Sequence, residues 1–252
     1  MLMETEDSAL VLGCERRIIN AWPALSTLIV GDWALRFANG YSGRANSATP
    51  LIYGAELDDA TLDLIAELYR ADGLAPSIRL TPLVADATRA AVLERGYRVK
   101  DKSFGLIAPL AGLEVSAEPE LQIEARPSEE WTAGVAALQS GIKTHAGNLA
   151  AIVEKVRLPA AFATWLVEGE AVAFGMGVAE RGMAEIGLIC VDPDHRGHGF
   201  GRRIVRGLMG WAGAMGCADA YLQVEQGNAV AINLYRSLGF RRLYAYETRI
   251  LD

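Results

Sequence analysis

Hydrophobic residues recur along the first half of the chain at the spacings of helices and strands. Three segments have helical apolar spacing, and they are residues 8–26, 57–73 and 85–97. Three runs have the composition of strands, and they are residues 27–39, 77–83 and 98–107. Gly31-Asp32 interrupts the first strand run, and the turn formers of 40–47 predict a loop. Helices and strands therefore alternate here.

The second half alternates in the same way. Strand-like runs are residues 121–127, 161–167, 171–179, 184–191, 220–224 and 241–250, with short turns at 169–170 and 181–182. Helical segments are residues 128–140, 145–156, 200–215 and 229–238. Ser128 is a predicted helix cap. The small residues and prolines of 108–120 predict a linker, which gives two domains, 1–112 and 119–252.

The two halves end with similar sequences. A helix, a glycine, an aromatic residue and a strand follow each other around Gly96-Tyr97 and again around Gly239-Phe240. Aligning the two glycines puts Val92 where Tyr235 stands. A diverged internal repeat is one interpretation. A common helix stop used twice is the other.

Composition narrows the class of protein. The chain has 252 residues, 51% of them hydrophobic, and a net charge of −7, which disfavours nucleic-acid binding. Its three cysteines are far apart, so we expect reduced thiols, a cytoplasmic protein, no disulfide framework and no metal site. The N-terminus lacks signal-peptide features, and no apolar run is long enough to predict a membrane span.

The clearest chemical motif is the glycine-rich loop at 196–201, Arg-Gly-His-Gly-Phe-Gly, between a strand and a long helix. Alternating glycines let backbone N–H groups turn inward as an anion-binding nest, and a helix N-terminus adds partial positive charge. Arg196, Arg202 and Arg203 can add full charges. The glycine spacing fits neither a dinucleotide-binding loop nor a Walker loop. A pyrophosphate site is therefore predicted, and a simple tight turn is the alternative.

A second motif runs from Asn228 to Phe240. Asn228 is a natural helix cap. Tyr235 shares a helix face with Ala231, Leu234 and Leu238. Its ring can pack in the core while its hydroxyl stays available, and ordinary core packing is the simpler role.

Together the two motifs resemble those of the GNAT superfamily of N-acetyltransferases, over roughly residues 120–252. The resemblance implies an α/β (α+β) fold, with a mixed, mostly antiparallel sheet flanked by helices. It also implies acetyl-CoA as co-substrate. The residues expected to hold it are Ile189, Cys190, Val191, Arg196, Gly197, His198, Gly199, Phe200, Gly201, Arg202, Asn228 and Tyr235.

The same resemblance implies direct transfer of the acetyl group to an amine. Tyr235 is expected to protonate the leaving thiolate. Glu185 is expected to take the proton of the amine, with water or Glu225 as alternatives. Strand alternation predicts that Glu185, Gly187, Ile189 and Val191 share one face. The strand ending at Val191 is expected to splay from 220–224.

The acceptor is expected to be a small-molecule amine, with no nucleic-acid or membrane partner. A protein or peptide N-acetyltransferase and a non-catalytic acyl-CoA-binding regulator are the alternatives. Four side chains could approach the acceptor, although packing or surface roles are simpler for them: Trp131, Lys143, His145 and Trp165.

The first half lacks the loop motif, so it resembles a degenerate, partial GNAT-like domain. Its segment 33–47 is unusually polar and aromatic, with Arg36, Tyr41, Arg44 and Asn46. The segment either covers the acceptor pocket, forms a homodimer surface, or ties down a sheet edge.

Overall fold

The computed structural model describes residues 5–113, 118–139 and 146–252. The α-helices are α1 (Thr5–Ala21), α2 (Asp59–Ala71), α3 (Asp86–Glu94), α4 (Glu129–Leu138), α5 (Ala146–Glu154), α6 (Phe200–Ala214) and α7 (Ala229–Ser237). The strands are β1 (Ser26–Val30), β2 (Trp33–Phe37), β3 (Ala48–Pro50), β4 (Ser77–Leu80), β5 (Arg98–Pro109), β6 (Leu121–Glu124), β7 (Ala160–Val167), β8 (Glu170–Glu180), β9 (Met183–Val191), β10 (Asp219–Glu225) and β11 (Arg241–Ile250). None of the helices in these ranges combines the length and apolarity that a bilayer crossing needs.

The chain folds as two compact units, and neither is continuous in sequence. Unit one comprises Met1–Gly105, Glu225–Gly227 and Arg242–Asp252. Unit two comprises Leu106–Val224 and Asn228–Arg241. Strand β11 therefore belongs almost entirely to unit one, although it follows the helices of unit two in sequence.

Unit one is a sheet in the order β1-β2-β3-β4-β11-β5. The predicted turn at Gly31-Asp32 joins β1 to β2 as an antiparallel hairpin, and β3 and β4 run parallel. One sheet face packs against α2 and α3 through a buried apolar cluster that includes Leu35, Ile65 and Val92. Apolar spacing along these helices dictates this arrangement, because their polar residues must face water.

Unit one also contains a buried ion pair between β4 and α1. Arg79 of β4 pairs with Glu15 of α1 at 3.1 Å, and both side chains are fully buried. The hydroxyl of Tyr244 also donates to Glu15, and the Arg79 guanidinium lies 4.5 Å from the ring centre of Tyr246. An ion pair removed from water needs such additional partners to offset its desolvation.

Segment 33–47 is held by its own buried polar groups. Arg36 is fully buried and donates to the carbonyls of Trp22 and Arg44. The side-chain oxygen of Asn46 accepts the N–H groups of Ala38 and Gly40, at 2.7 and 3.0 Å. These bonds connect the loop at 38–46 to β2 and to Trp22, and the role of the segment stays a prediction.

Unit two is a sheet in the order β10-β9-β8-β7-β6. Strands β6 to β9 are antiparallel, and β9 and β10 are parallel, so the mixed, mostly antiparallel sheet is confirmed. The turns that join β7 to β8 and β8 to β9 each have positive φ at two consecutive residues, as tight hairpins require. The first turn lies at Glu168-Gly169, one residue before its predicted position.

Helices cover both faces of this sheet, and glycines lie at the contacts on each face. On one face Gly134 of α4 lies directly over the ring of Phe174. On the other face Gly175 and Gly177 of β8 admit side chains of α6, and Gly207 of α6 admits Leu121 of β6. Small residues here let helix and sheet approach closely. Gly213 has no neighbour within 4 Å, so packing does not explain it.

The similar turns at the ends of the two halves have the same hydrogen bonds. Tyr97 N–H donates to the Val92 carbonyl at 3.3 Å, and Phe240 N–H donates to the Tyr235 carbonyl at 3.1 Å. The intervening glycines have φ of 82° and 89°. The local similarity that suggested a repeat is therefore confirmed, with Val92 in the place of Tyr235.

Gly105 is required by the buried tyrosine of unit one. A methyl group on Gly105 would overlap the ring of Tyr244. We expect Gly105→Ala to lower the free energy of unfolding by about 1–3 kcal/mol, because the buried ring must move. Gly213→Ala, in an open helix position, should raise it by about 0.5–1 kcal/mol. Urea unfolding followed by circular dichroism measures both, and equal stabilities of the two variants would contradict this account.

Candidate active site

The sheet of unit two opens between two parallel strands. Strands β9 and β10 pair at only three positions, the last of which joins Glu185 to Tyr221. Beyond that row β9 continues to Val191, and β10 continues in its own direction. The expected splay is therefore present, and it exposes strand edges whose N–H and C=O groups can bind an extended ligand.

A bulge on β9 lies at this opening. Gly187 pairs with Met176 and Cys190 pairs with Phe174, so β9 has one more residue than β8 in the same interval. Leu188 has a φ of 54°, a left-handed conformation that costs a non-glycine residue about 1–2 kcal/mol. Such bulges redirect backbone groups away from the neighbouring strand.

The bulge also corrects the predicted strand alternation. Ile189 lies on the α6 face, because its Cδ1 is 2.7 Å from the position of a methyl group on Gly175. Val191 faces the same side, 3.4 Å from a methyl position on Gly201. The prediction that both share a face with Glu185 is wrong, since one inserted residue shifts every later side chain to the other face.

Glu185 lies on the opposite face, toward α4 and α5. It pairs with Val178, which lies on the same side of β8 as Phe174 under α4. Its side chain is only 3% exposed. The carboxylate oxygens are 3.0 and 3.3 Å from the methyl position of Gly187, so Gly187 leaves room for this carboxylate beside the bulge.

The predicted loop follows β9 directly. Asp192 accepts the N–H of Asp194 at 2.8 Å and starts a short 3-10 turn. Gly197 and Gly199 have φ of 83° and 82°, and residues 196–199 are exposed. Only glycine adopts such angles without strain, so the two glycines set the direction of the loop's N–H groups.

Helix α6 begins without a side-chain cap. Its N-cap is Gly199, and the first helical bond runs from Arg203 N–H to the Gly199 carbonyl at 3.1 Å. The N–H groups of the first helical turn thus have no helical acceptor, and they carry the positive end of the helix dipole. Exposed N–H groups in this arrangement suit a phosphate or pyrophosphate.

Helix α2 of unit one has a different beginning. Its N-cap is Asp58, whose carboxylate accepts the N–H of Thr61 at 2.8 Å. The same contact lowers the pKa of Asp58. A fixed negative charge at this helix end repels an anion. The beginning of α2 is therefore unsuited to binding a phosphate, unlike the beginning of α6.

The arginines of the loop have separate partners. Arg202 donates to the Ser237 hydroxyl at 2.7 Å, and Arg203 pairs with Glu118 at 3.0 Å. Arg196 donates through Nε to the Val191 carbonyl at 3.3 Å. Arg196 is exposed at the beginning of the loop. Its terminal guanidinium nitrogens take no part in the bond to Val191.

His198 is part of the loop structure. Its Nδ1 lies 3.3 and 3.1 Å from the carbonyl oxygens of His195 and Arg196. Carbonyl oxygens only accept, so Nδ1 carries the hydrogen in this arrangement. The ring stacks on Phe200, with centroids 5.8 Å apart.

Helix α7 lies beside the beginning of α6. Leu234 approaches within 3.5 Å of the methyl position of Gly201. Asn228 caps α7 by accepting the N–H of Ala231 at 3.0 Å, which confirms the predicted cap. Tyr235 is 9% exposed, and its ring meets Phe240 edge to face at 5.8 Å. Unit two thus contains Glu185 and every residue expected to hold acetyl-CoA, whereas the alternative base Glu225 belongs to unit one.

The thiol of Cys190 is poorly reactive. Burial raises the pKa of its thiol to about 12. At neutral pH the thiol is protonated, and a protonated thiol is a poor nucleophile. Its contribution to the strand is its backbone, which pairs with Phe174.

A groove of about 960 Å³ lies where α4 and α5 meet the sheet. Ala160 lines it, and Ala160 pairs with Val178, whose other partner is Glu185. Part of the groove therefore lies on the face of the sheet that carries Glu185, and Trp211 of α6 and Met215 at its end line it as well. Its charged lining residues are Arg126, Glu129, Glu154 and Arg157.

Four side chains were predicted as possible neighbours of the acceptor, and the structure describes two of them. Trp131 and Trp165 are buried, at 0% and 1% exposure, so packing describes both. Lys143 and His145 lie outside the described residues. Within 5–113, 118–139 and 146–252, no group of three or more His, Cys, Asp and Glu side chains is arranged to hold a metal ion.

Sequence reasoning missed two features of this site. Nothing in the residue pattern signals the bulge at Leu188, because apolar residues continue through it. Gly187, two residues after Glu185, was the available hint, since a glycine within a strand indicates a bulge or a close approach. The stacking of Trp165 on Phe200 was also missed, since the two are far apart in sequence.

Known proteins resemble this chain over nearly its whole length. A family model described as "Probable histone acetyltransferase Rv0428c C-terminal" matches residues 11–248. The uncharacterized N-acetyltransferase YobR of Bacillus subtilis is 25% identical over 241 residues, which are 94% of this chain and 96% of YobR. The probable histone acetyltransferase Rv0428c of Mycobacterium tuberculosis is 27% identical over 254 residues, covering 93% of this chain and 72% of that protein.

The fold has solved counterparts. A GCN5-related N-acetyltransferase from Kribbella flavida superposes with a TM-score of 0.71 at 16% identity, covering 99% of this chain and 96% of that one. Identity this low establishes the fold alone, whereas the family model spans most of the chain. The chain is therefore a GNAT N-acetyltransferase and belongs to the Rv0428c C-terminal family.

Proposed function

We propose that the chain transfers an acetyl group from acetyl-CoA to a primary amine of a small molecule, and that unit two carries out the reaction. One observation carries the proposal. Strand β9 leads from the opening beside β10 directly into the uncapped end of α6. An extended thioester arm fits the opening, and a pyrophosphate fits the helix end.

The proposed holding residues act mainly through their backbone. The N–H groups of 197–202 would bind the pyrophosphate, and the exposed Arg196 would add charge. The edge of β9 at 189–191 would bond the pantetheine arm. Asn228 would contribute from the beginning of α7, where its side-chain oxygen already caps the helix.

The proposed reaction is a direct transfer. The amine nitrogen attacks the thioester carbonyl, the carbon–sulfur bond breaks, and Tyr235 protonates the leaving sulfur. Glu185 accepts the proton that the amine loses. A backbone N–H at the bulge polarises the carbonyl, as oxyanion holes do. The protonated thiol of Cys190 supports this route over an acyl-enzyme on that side chain.

The groove supports a small acceptor. Its volume of about 960 Å³ is at the upper end of small-molecule sites, and part of its lining lies on the face that carries Glu185. A protein substrate is the second candidate, because the relative Rv0428c is described as a probable histone acetyltransferase. CoA release with a panel of amines and with lysine peptides separates the two. Release with peptides alone would reject the small-molecule acceptor.

Unit one is proposed to be a degenerate GNAT-like half that binds no acetyl-CoA. The Asp58 carboxylate occupies the end of α2 where a pyrophosphate would need free N–H groups. Calorimetric titration should therefore give one acetyl-CoA for each chain. Two sites of similar affinity would contradict this assignment, and no binding at all would contradict the proposed function.

Gly199→Val should abolish binding of acetyl-CoA. Valine at a φ of 82° is strained, and the helix end would reorient. We expect the Kd to rise by about a hundredfold or more, equivalent to ~2.7 kcal/mol, in calorimetric titration. Gly182→Val is the matched control, because Gly182 has a similar φ of 78° in the turn between β8 and β9. Equal losses in both variants would attribute the effect to general strain.

Tyr235→Phe should lower turnover by about a hundredfold while acetyl-CoA affinity stays within twofold, since only the acid is removed. Tyr97→Phe is the control, because Tyr97 is also buried, at 2% exposure, and its hydroxyl has no hydrogen-bond partner among the described residues. Steady-state kinetics and calorimetry measure the two quantities. Unchanged turnover of Tyr235→Phe would remove Tyr235 as the acid.

Glu185→Gln should lower turnover at neutral pH and remove the rise of rate with pH that follows deprotonation of the base. Glutamine keeps the shape of the side chain but cannot accept the amine proton. Glu225→Gln tests the other candidate carboxylate, which is exposed at the end of β10. If the pH–rate profile of Glu185→Gln matches that of the wild type while that of Glu225→Gln is shifted, then Glu225 is the base and Glu185 is not.

A further inference from the structure

Trp165 of β7 is buried and contacts two residues of the first turn of α6. Its ring lies against Phe200, with centroids 5.7 Å apart and planes 24° apart. The Arg203 guanidinium lies 4.9 Å from the Trp165 ring centre. A side chain of β7 thus contacts both ends of the helical turn that follows the loop.

Trp165 is itself held by the sheet. It pairs with Leu121 of β6 and Ala173 of β8, and it is 1% exposed. The loop residues 196–199, by contrast, are exposed and include two glycines. The rigid partner in this contact is therefore the strand, and the adjustable partner is the beginning of α6.

Arg203 also takes part in an ion pair. Its guanidinium pairs with Glu118 at 3.0 Å. The His198 ring stacks on Phe200, with centroids 5.8 Å apart and planes 15° apart. Contacts therefore link His198 to Phe200, Phe200 to Trp165, and Trp165 to Arg203. These four side chains, hereafter the loop stack, connect the loop to the sheet.

We propose that Trp165 is a positioning residue for the pyrophosphate end of acetyl-CoA, acting through the loop stack. This inference rests on the proposed function. Backbone N–H groups bind an anion well only when their directions are fixed before binding. Glycines at 197 and 199 permit the required conformation but do not hold it, because glycine also populates other conformations. The loop stack supplies the missing restraint.

The test compares acetyl-CoA with S-acetyl-pantetheine, which has the same thioester but no pyrophosphate. Trp165→Leu keeps an apolar side chain and removes the flat ring. We expect its kcat/KM for acetyl-CoA to fall about tenfold, mainly through KM, because an aromatic contact is lost. Its kcat/KM for S-acetyl-pantetheine should stay within twofold of the wild type. Trp165→Phe should recover most of the loss.

Trp131→Leu is the matched control. Trp131 is also fully buried in unit two, but it packs on Phe162 and donates to the Ala163 carbonyl at 3.1 Å. Any effect of removing a buried tryptophan from the core should therefore be equal for the two thioesters. Equal losses for both thioesters in Trp165→Leu, or no loss for acetyl-CoA, would overturn the proposal.

Failure of the proposed function is distinguishable from failure of this inference. If the wild type turns over no amine, calorimetric titration with CoA replaces the kinetic comparison. A Kd about tenfold weaker in Trp165→Leu, with Trp165→Phe within threefold of the wild type, would then still support the inference. An unchanged Kd in Trp165→Leu, or a wild type that does not bind CoA, would reject it.

Discussion

The separation of β9 from β10 after Glu185 and Tyr221 is the constraint on which the site depends. Two parallel strands that stay paired use their N–H and C=O groups on each other and leave no space for a ligand. Once they diverge, an edge of β9 becomes available, and the chain can turn from Val191 into the loop and α6. The bulge at Leu188 lies in this stretch, so its left-handed residue belongs to the same local rearrangement.

Close packing then determines where the end of α6 lies. Gly175 and Gly177 of β8 admit Ile204 and Leu208, and Gly201 admits Val191 and Leu234. A methyl group on Gly175 would overlap Ile204 and move the helix away from the sheet, whereas one on Gly201 would make ordinary contacts. The glycines in contact with α6 thus fix the axis of the helix, and the loop stack fixes its first turn. A helix dipole is useful for binding only at a defined place, so both restraints matter for function.

Sequence reasoning succeeded where the signal is local. The Ser128 and Asn228 caps, the two hairpins and the glycine-rich loop each depend on a few neighbouring residues, and each is present. It failed at Ile189 and Val191, because strand alternation assumes no inserted residue and the bulge inserts one. Contacts such as Trp165 on Phe200 join distant segments, and no pattern within either segment encodes them. The fold was therefore more predictable than the fine geometry of the site.

The corresponding helices of the two halves begin in different ways. Both contain a pair of parallel strands joined through a helix, and both end in the same glycine–aromatic turn. Helix α2 starts with an aspartate whose carboxylate satisfies the helix end, whereas α6 starts with a glycine that leaves it open. An aspartate cap stabilises a helix by roughly a few tenths of a kcal/mol relative to a glycine cap. Helix α2 has this small stabilisation, whereas the first N–H groups of α6 have no side-chain acceptor, so leaving that helix end open costs the fold little.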